Sequence, residues 1–384
     1  MIFDLSVYLA VFTLSALSAY VFQHTIRRVR IRGFLGGKSR LPGAVAYCLA
    51  GCFFLLPVIA MYGLRYGVGT DYFSYESIFN IVHGANLEEY WTLHNENAGA
   101  FYVEPAYYFL NRLFPNYRLL LWGLGVLLFG LFLLAVKDYG REVSVPFALY
   151  VFLSTQFIYS LNGVRFSVAA CLILLGYDAL SRDKILKFAL FILAAWMFHS
   201  SALICLSVVL LKEFKNKRIN RIRNTALFLF ILLFPLTSNA LLGIAENLPT
   251  FERYFSTALY VSSETMRFGW MWILHVLLVL LPLVIFCQRE IFSRENTKVY
   301  FRISVIEILF RMLGLYNTWY TRLARYSQVA QVIFVPLVLN RVKNQQKRIA
   351  LYAYYIAWYA FYFAYFAIVN DKGDSLPYVW IFSP

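Results

Sequence analysis

The run ILKFALFILAAWMFHSSALICLSVVLL, Ile185 to Leu211, decides the fold, because it is apolar at both ends and polar at its centre, Phe198-His199-Ser200-Ser201. It is too long for one simple membrane crossing, and a histidine with two serines is too polar at that place to face lipid. Outward from it the pattern repeats. Apolar segments of about 17 to 25 residues follow one another along the chain, each long enough for a hydrocarbon core about 30 Å thick. With 61% hydrophobic and 14% charged residues in 384, little polar surface is left for water. Runs such as Leu119 to Val136 lack the alternation a β-barrel needs. The expected fold is all-α, a polytopic helical membrane protein.

The predicted spans are 2–23, 42–63, 117–136, 146–162, 165–180, 224–244, 270–288, 300–316, 327–340 and 349–369, about ten crossings. The net charge of +15 would suggest nucleic acid in a soluble protein, so its placement matters. Arg27, Arg28, Arg30, Arg32, Lys38 and Arg40 form one basic cluster. A second holds Lys212, Lys215, Lys217, Arg218, Arg221 and Arg223, and a third Arg341, Lys343, Lys347 and Arg348. Acidic residues gather instead in the loop 64–116, with Asp71, Glu76, Glu88, Glu89, Glu96 and Glu104. This asymmetry is the positive-inside pattern, which places the basic clusters in the cytoplasm and removes the reason to invoke nucleic acid.

A single crossing by 185–211 would put the second basic cluster outside, so the segment has to pass an even number of times. Two readings satisfy that: a re-entrant hairpin with His199 near its turn, or two short crossing helices. Half of the run reaches only about 20 Å as α-helix, which favours the broken hairpin. The loop 64–116 is then extracytoplasmic and part of one domain, 1–384, with no internal repeat. Its aromatics, Tyr90-Trp91, Phe101-Tyr102 and Tyr107-Tyr108-Phe109, suit amphipathic helices on the membrane surface or a sugar-stacking surface. The five cysteines all lie in apolar segments, where Cys serves as a small hydrophobe, and no disulfide or metal site is expected.

Charges at membrane depth or at a cavity edge are costly and point to chemistry. Arg65 opens the turn Gly67-Val-Gly69-Thr70-Asp71, either as a helix-ending Arg65–Asp71 pair or as part of a polar cavity. Arg165 follows Asn162-Gly163 in a very short outer turn, where a planar guanidinium either snorkels to water or captures phosphate. Arg322 and Arg325 sit on a predicted outer loop, against the topological bias. His199 has the pKa range of a general base, and Glu104 and Asp71 are the other candidate proton acceptors. Glu307 and Arg311, four residues apart, suit a structural ion pair within a span. No nucleotide-binding loop or zinc motif is present.

Taken in order, Arg65-Tyr-Gly-Val-Gly-Thr-Asp71-Tyr72, Glu104-Pro105, Arg165 and its small-residue helix, Phe198-His199-Ser200-Ser201, Arg325-Tyr326 ahead of Pro336 and Leu376-Pro377-Tyr378 resemble the EpsG-type, Wzy-like bacterial polysaccharide polymerases. The resemblance implies a GT-C-like glycosyltransferase at the outer side of the inner membrane. It would join undecaprenyl-diphosphate-linked oligosaccharide units into O-antigen, capsule or exopolysaccharide, without cofactor or metal. It also implies diphosphate binding by Arg65, Arg165, Arg322 and Arg325, and acceptor deprotonation by His199 or Asp71. A flippase and a chain-length regulator are the partners expected with it. A lipid-linked-sugar exporter and a ligase remain the rival readings.

Overall fold

A computed structural model describes residues 2–31, 40–84, 86, 88–89, 103–140, 142–213, 216–223, 225–226, 229, 263–315, 319–368 and 375–382. Its regular elements are helices, and among the described residues the one β-type contact is an isolated bridge between Arg65 and Trp380. Most of the predicted span 224–244 and of the loop 245–269, and Tyr90, Trp91, Glu96, Phe101, Tyr102, Arg32, Lys38, Lys215, Asp371 and Asp374 lie outside the described residues.

Helices α1 (Ile2–Ile31), α2 (Arg40–Phe54) and α3 (Leu56–Gly63) cover the first two predicted spans. The second is bent by 74° between α2 and α3. Pro57 stands in the first turn of α3, and its missing N–H and bulky ring interrupt the ladder there. After the short helices α4 (Tyr72–Gly84) and α5 (Pro105–Leu113) come α6 (Tyr117–Lys137), α7 (Val145–Phe152) and α8 (Ile158–Asn162). The last two are joined by a π-helical turn, Leu153–Phe157, so that 145–162 is one helix carrying a bulge. Such a bulge inserts a residue and re-aims its neighbours; here Gln156 turns inward to Gln328, 3.4 Å away. Helix α9 (Val164–Ser181) is buried on nearly every face.

The run 185–211 folds as α10 (Ile185–Trp196) and a 3₁₀ helix, Ser200–Leu211, which pack on each other. Lys212, just after the second leg, pairs with Asp183, just before the first. Both feet therefore stand together, and His199 lies in the break at the far end. The 3₁₀ winding also lengthens the second leg to about 24 Å against about 18 Å for the first.

The remainder comprises α11 (Ser263–Phe286), α12 (Gln288–Phe292), α13 (Glu295–Leu313), α14 (Trp319–Gln328), α15 (Gln331–Arg341) and α16 (Gln345–Ile368). Residues 317–326, expected as an outer loop, fall from 319 onward in helix α14, which is folded back on α13, and the predicted span 327–340 shrinks to the 11 residues of α15. Pro282 explains the tyrosines of α16. It supplies no N–H to the carbonyl of Leu278, and Tyr354 donates its hydroxyl to that oxygen at 2.8 Å, while Tyr355 donates to Val279 at 2.7 Å. These rings are packing and hydrogen-bonding groups.

Among the described residues, three helices are long and apolar enough to cross a membrane, Leu5–Ile26, Tyr117–Lys137 and Val164–Ser181, with the bent pair 43–63 as a fourth. The other predicted spans among the described residues contain Tyr, Gln or charged residues, because their inward faces meet protein. The contacts sort into two ends. Gln23 with Val143, Glu142 with Arg294 and Arg341, and Arg302 with Glu213 and the Leu211 carbonyl share one end, together with Asp183–Lys212. Arg65 with Leu161, Thr70 with Asn162, Tyr117 with Tyr72 and Glu104 with Arg165 share the other. Loops assigned to one side from charge alone thus meet at one end of the bundle.

Candidate active site

Glu104 is placed by the residue after it. Pro105 opens α5 and restricts the preceding residue to extended backbone, so Glu104 (φ −65°, ψ 149°) aims its side chain away from its own helix and makes no cap. It is 3% exposed. One carboxylate oxygen accepts from Arg165 Nη1 at 2.5 Å, and the other accepts the backbone N–H of Ser200 at 3.3 Å. A second tie is backbone only, the Ala106 N–H donating to the Met197 carbonyl at 3.0 Å. Helix α5 is thereby fastened to the tip of the hairpin and to the start of α9. Arg165 also lies beneath Tyr75 and Tyr107, 5.8 Å from each ring centroid.

His199 sits beside this pair. Its Nδ1 is 2.8 Å from Ser201 Oγ and 3.2 Å from the Tyr326 hydroxyl, and the two hydroxyls are 3.0 Å apart. Phe166 packs its edge on the imidazole at 5.4 Å and stacks on Tyr326 at 4.3 Å, which locks the ring plane. A histidine with Nδ1 engaged by hydroxyls and its ring held by aromatics has the arrangement of an oriented proton acceptor. Tyr326 is the site residue whose role sequence reading missed; its position next to Arg325 in the quoted motif was the available signal.

The four arginines have different surroundings. Arg65, 2% exposed, donates Nη1 to the carbonyls of Leu161 at 2.5 Å and Val68 at 3.3 Å, with its guanidinium 4.7 Å from the Tyr62 ring. It straps the Gly-rich turn to the end of α8. The expected pair with Asp71 does not form, and Asp71 is exposed on the rim. Gly69 has φ +106°, open only to glycine without strain, and a Cβ there would stand 2.8 Å from the Leu161 carbonyl oxygen. The tail closes over the same turn. Tyr66 N–H donates to Val379 O at 3.0 Å, Ile381 N–H to Leu64 O at 2.9 Å, and the Tyr378 hydroxyl to the Met61 carbonyl.

Arg165 is matched by Glu104. Arg325 is not matched: its guanidinium lies 3.9 Å over the Tyr159 ring, and among the described residues it makes neither ion pair nor hydrogen bond. Arg322, partly exposed one turn earlier on α14, is likewise without an ionic partner among the described residues. Both precede Tyr326, so α14 carries two uncommitted cations to the side of the imidazole.

Deeper in the bundle lies a network that the sequence showed only as Glu307–Arg311. Arg311 donates Nη2 to Glu307 at 3.1 Å, both residues being at most 1% exposed, and Gln331 donates to the other carboxylate oxygen at 2.8 Å. The Gln331 oxygen faces Tyr359 OH at 3.1 Å and His275 Nε2 at 3.3 Å, while Trp358 Nε1–H donates to His275 Nδ1 at 3.1 Å. Indole nitrogen only donates, which fixes His275 as the Nε2–H tautomer. Gln328 and Gln331, three apart in an apolar stretch, were the legible sign of this network.

The site thus joins the Gly-rich turn, Glu104-Pro105, Arg165, the His199 break, Arg325-Tyr326 and the 376–378 tail, and the chain matches one family over residues 48–380, across all of them. The chain belongs to the EpsG family. That family comprises Wzy-like polysaccharide polymerases, so the protein is a membrane protein of polysaccharide polymerisation. No curated protein and no solved structure matches it.

Proposed function

We propose that this EpsG-family protein joins lipid-diphosphate-linked oligosaccharide units at the outer end of the bundle, as a glycosyltransferase of the bacterial inner membrane. About ten crossings with a re-entrant hairpin, in a GT-C-like arrangement, fit this reading. The observation that carries it is Arg325. A partly buried guanidinium that has no resident anion among the described residues is costly, and a site that keeps one is prepared for an anion that arrives with the substrate.

In the reaction a hydroxyl of one unit attacks the anomeric carbon of the other, the C–O bond to the lipid diphosphate breaks, and the diphosphate leaves. His199 takes the hydroxyl proton. Arg325 and Arg322 meet the charge that develops on the leaving diphosphate, in a dry setting where fixed cations act strongly. Glu104 has both oxygens occupied, so its part is to hold the hairpin tip, with Arg165 as its clamp. Asp71 stands on the rim and Arg65 inside the turn, away from the proton transfer. The undecaprenyl carrier, a flippase and a chain-length regulator are partners in this reading. The buried Glu307 network would favour a transporter if it opened to a path; Glu307, Arg311, Gln331 and His275 are instead sealed at 0–1% exposure.

Arg325→Leu tests the assignment in a reconstituted assay with lipid-linked units. One lost charge-assisted contact of about 1.5–3 kcal/mol predicts a rate lower by about 10- to 150-fold, with Arg325→Lys intermediate. Turnover within threefold of wild type in Arg325→Leu would remove the diphosphate from this position.

A further inference from the structure

We propose that the rim made by Tyr66, Asp71 and Phe73 is a pyranose-binding subsite, which holds the glycan one helical turn from Tyr75, the ring that covers Arg165; this rests on the polymerase reading above. Tyr66 is 45% exposed and Phe73 54% exposed at the outer end of the bundle. Large exposed rings in a membrane protein ordinarily face lipid, and the rest of α4 argues against that here. Beside Phe73, the outward residues of the helix include Ser74, Ser77 and Asn80, all exposed, a surface made for water. Two aromatic rings standing on a hydroxyl- and amide-bearing surface match a sugar, whose ring C–H faces are apolar and whose edges are polar.

The rims of the two rings are rigid. They meet edge to face at 6.1 Å and 88°, and each leans on the buried Tyr72, at 6.0 and 5.1 Å. Backbone motion of the turn is blocked by the Arg65 strap and by the Tyr66–Val379 hydrogen bond. Between them Asp71 is exposed, and among the described residues its carboxylate has no hydrogen bond or ion pair, which leaves both oxygens able to accept sugar hydroxyls. Asp71 and Tyr75 are one turn apart on the same helix start, about 6 Å of rise, and Tyr75 covers Arg165. A sugar seated on the rim therefore directs its neighbours toward Glu104, Arg165 and His199.

The test uses the protein in lipid nanodiscs and short soluble oligosaccharides released from the producing cell's own polysaccharide, titrated by calorimetry, with chain length in the cell read on gels. Tyr66→Ala, Asp71→Asn and Phe73→Leu are each expected to weaken fragment binding roughly tenfold and to shorten the chains without abolishing polymerisation. Phe73→Leu keeps the apolar bulk that a membrane anchor needs and removes only the ring face. Wild-type affinity and chain length in these variants would overturn the subsite, as would no fragment binding by the wild type at millimolar concentration. If Arg325→Leu and deletion of the gene left the polymer unchanged, the polymerase reading itself would fall. Loss of polymer in Arg325→Leu beside unaltered rim variants would reject the subsite alone.

Discussion

Removing Arg165 should do more than silence one cation, because it strands Glu104. The carboxylate is 3% exposed, and its 2.5 Å contact ties the start of α5 to the start of α9 while its other oxygen holds the hairpin tip. Two unit charges about 4 Å apart attract by about 4 kcal/mol at an effective dielectric near 20, and breaking such a buried pair from one side costs about 3–5 kcal/mol. Arg165→Met is therefore expected to cost about 3–4 kcal/mol, and Glu104→Gln about 3 kcal/mol. The double variant should cost about 4 kcal/mol, well short of the sum, since it leaves no charge without its partner. The protein carries its own reporter. Its five cysteines are free, and Cys171 and Cys205 are buried, so a thiol-reactive fluorophore lights up on unfolding in detergent. Single variants should melt lower by roughly 4 to 5 °C. Strict additivity of the two shifts would refute the pairing and with it the clamp role.

Gly69→Ala should destabilise by about 1–3 kcal/mol in the same assay, from positive φ and the clash with Leu161, whereas Gly140→Ala, with open space around its Cβ, should show only the backbone strain. Glu307→Ala should cost about 3–5 kcal/mol by leaving Arg311 buried alone, while Glu307→Met combined with Arg311→Leu should come close to wild type; equal losses in both would show that the network matters beyond its charges. Glu213, at the hairpin foot, is held below the usual carboxylate range by its hydrogen bond to Arg302. Its stabilising effect is therefore present above the ordinary carboxylate pKa and is lost as pH falls through its lowered value. The melting difference between wild type and Glu213→Gln should shrink to nothing on acidification, and a difference that grew would contradict the contact.

Charge was the most readable feature of the sequence. The parity argument for 185–211 needed only the position of Lys212 and its neighbours, and the Asp183–Lys212 pair brings the two feet of the run together, as either reading of an even passage requires. Helix bounds at 117–137 and 164–181 were legible for the same reason that those helices are uniformly apolar. The helix α14 was not, because its polarity looks like a loop until α13 is there to cover one face. At the candidate site, residue types could be named but not their commitments. Nothing local says that Arg65 will spend its donors on carbonyls, or that Arg165 will meet a carboxylate 61 positions earlier while Arg325 meets only a ring. Those outcomes depend on which distant segment arrives, and periodicity holds no record of that.

The bridge between Arg65 and Trp380 has a bearing on assembly. Helices of a polytopic protein enter the bilayer in order of synthesis, so the Gly-rich turn waits for residues 378–381 before its backbone is fully partnered. Removing those residues would leave every described helix in the chain, yet would leave that mouth unlaced. Closure of the turn is in this way tied to a segment made after the described helices rather than to their insertion.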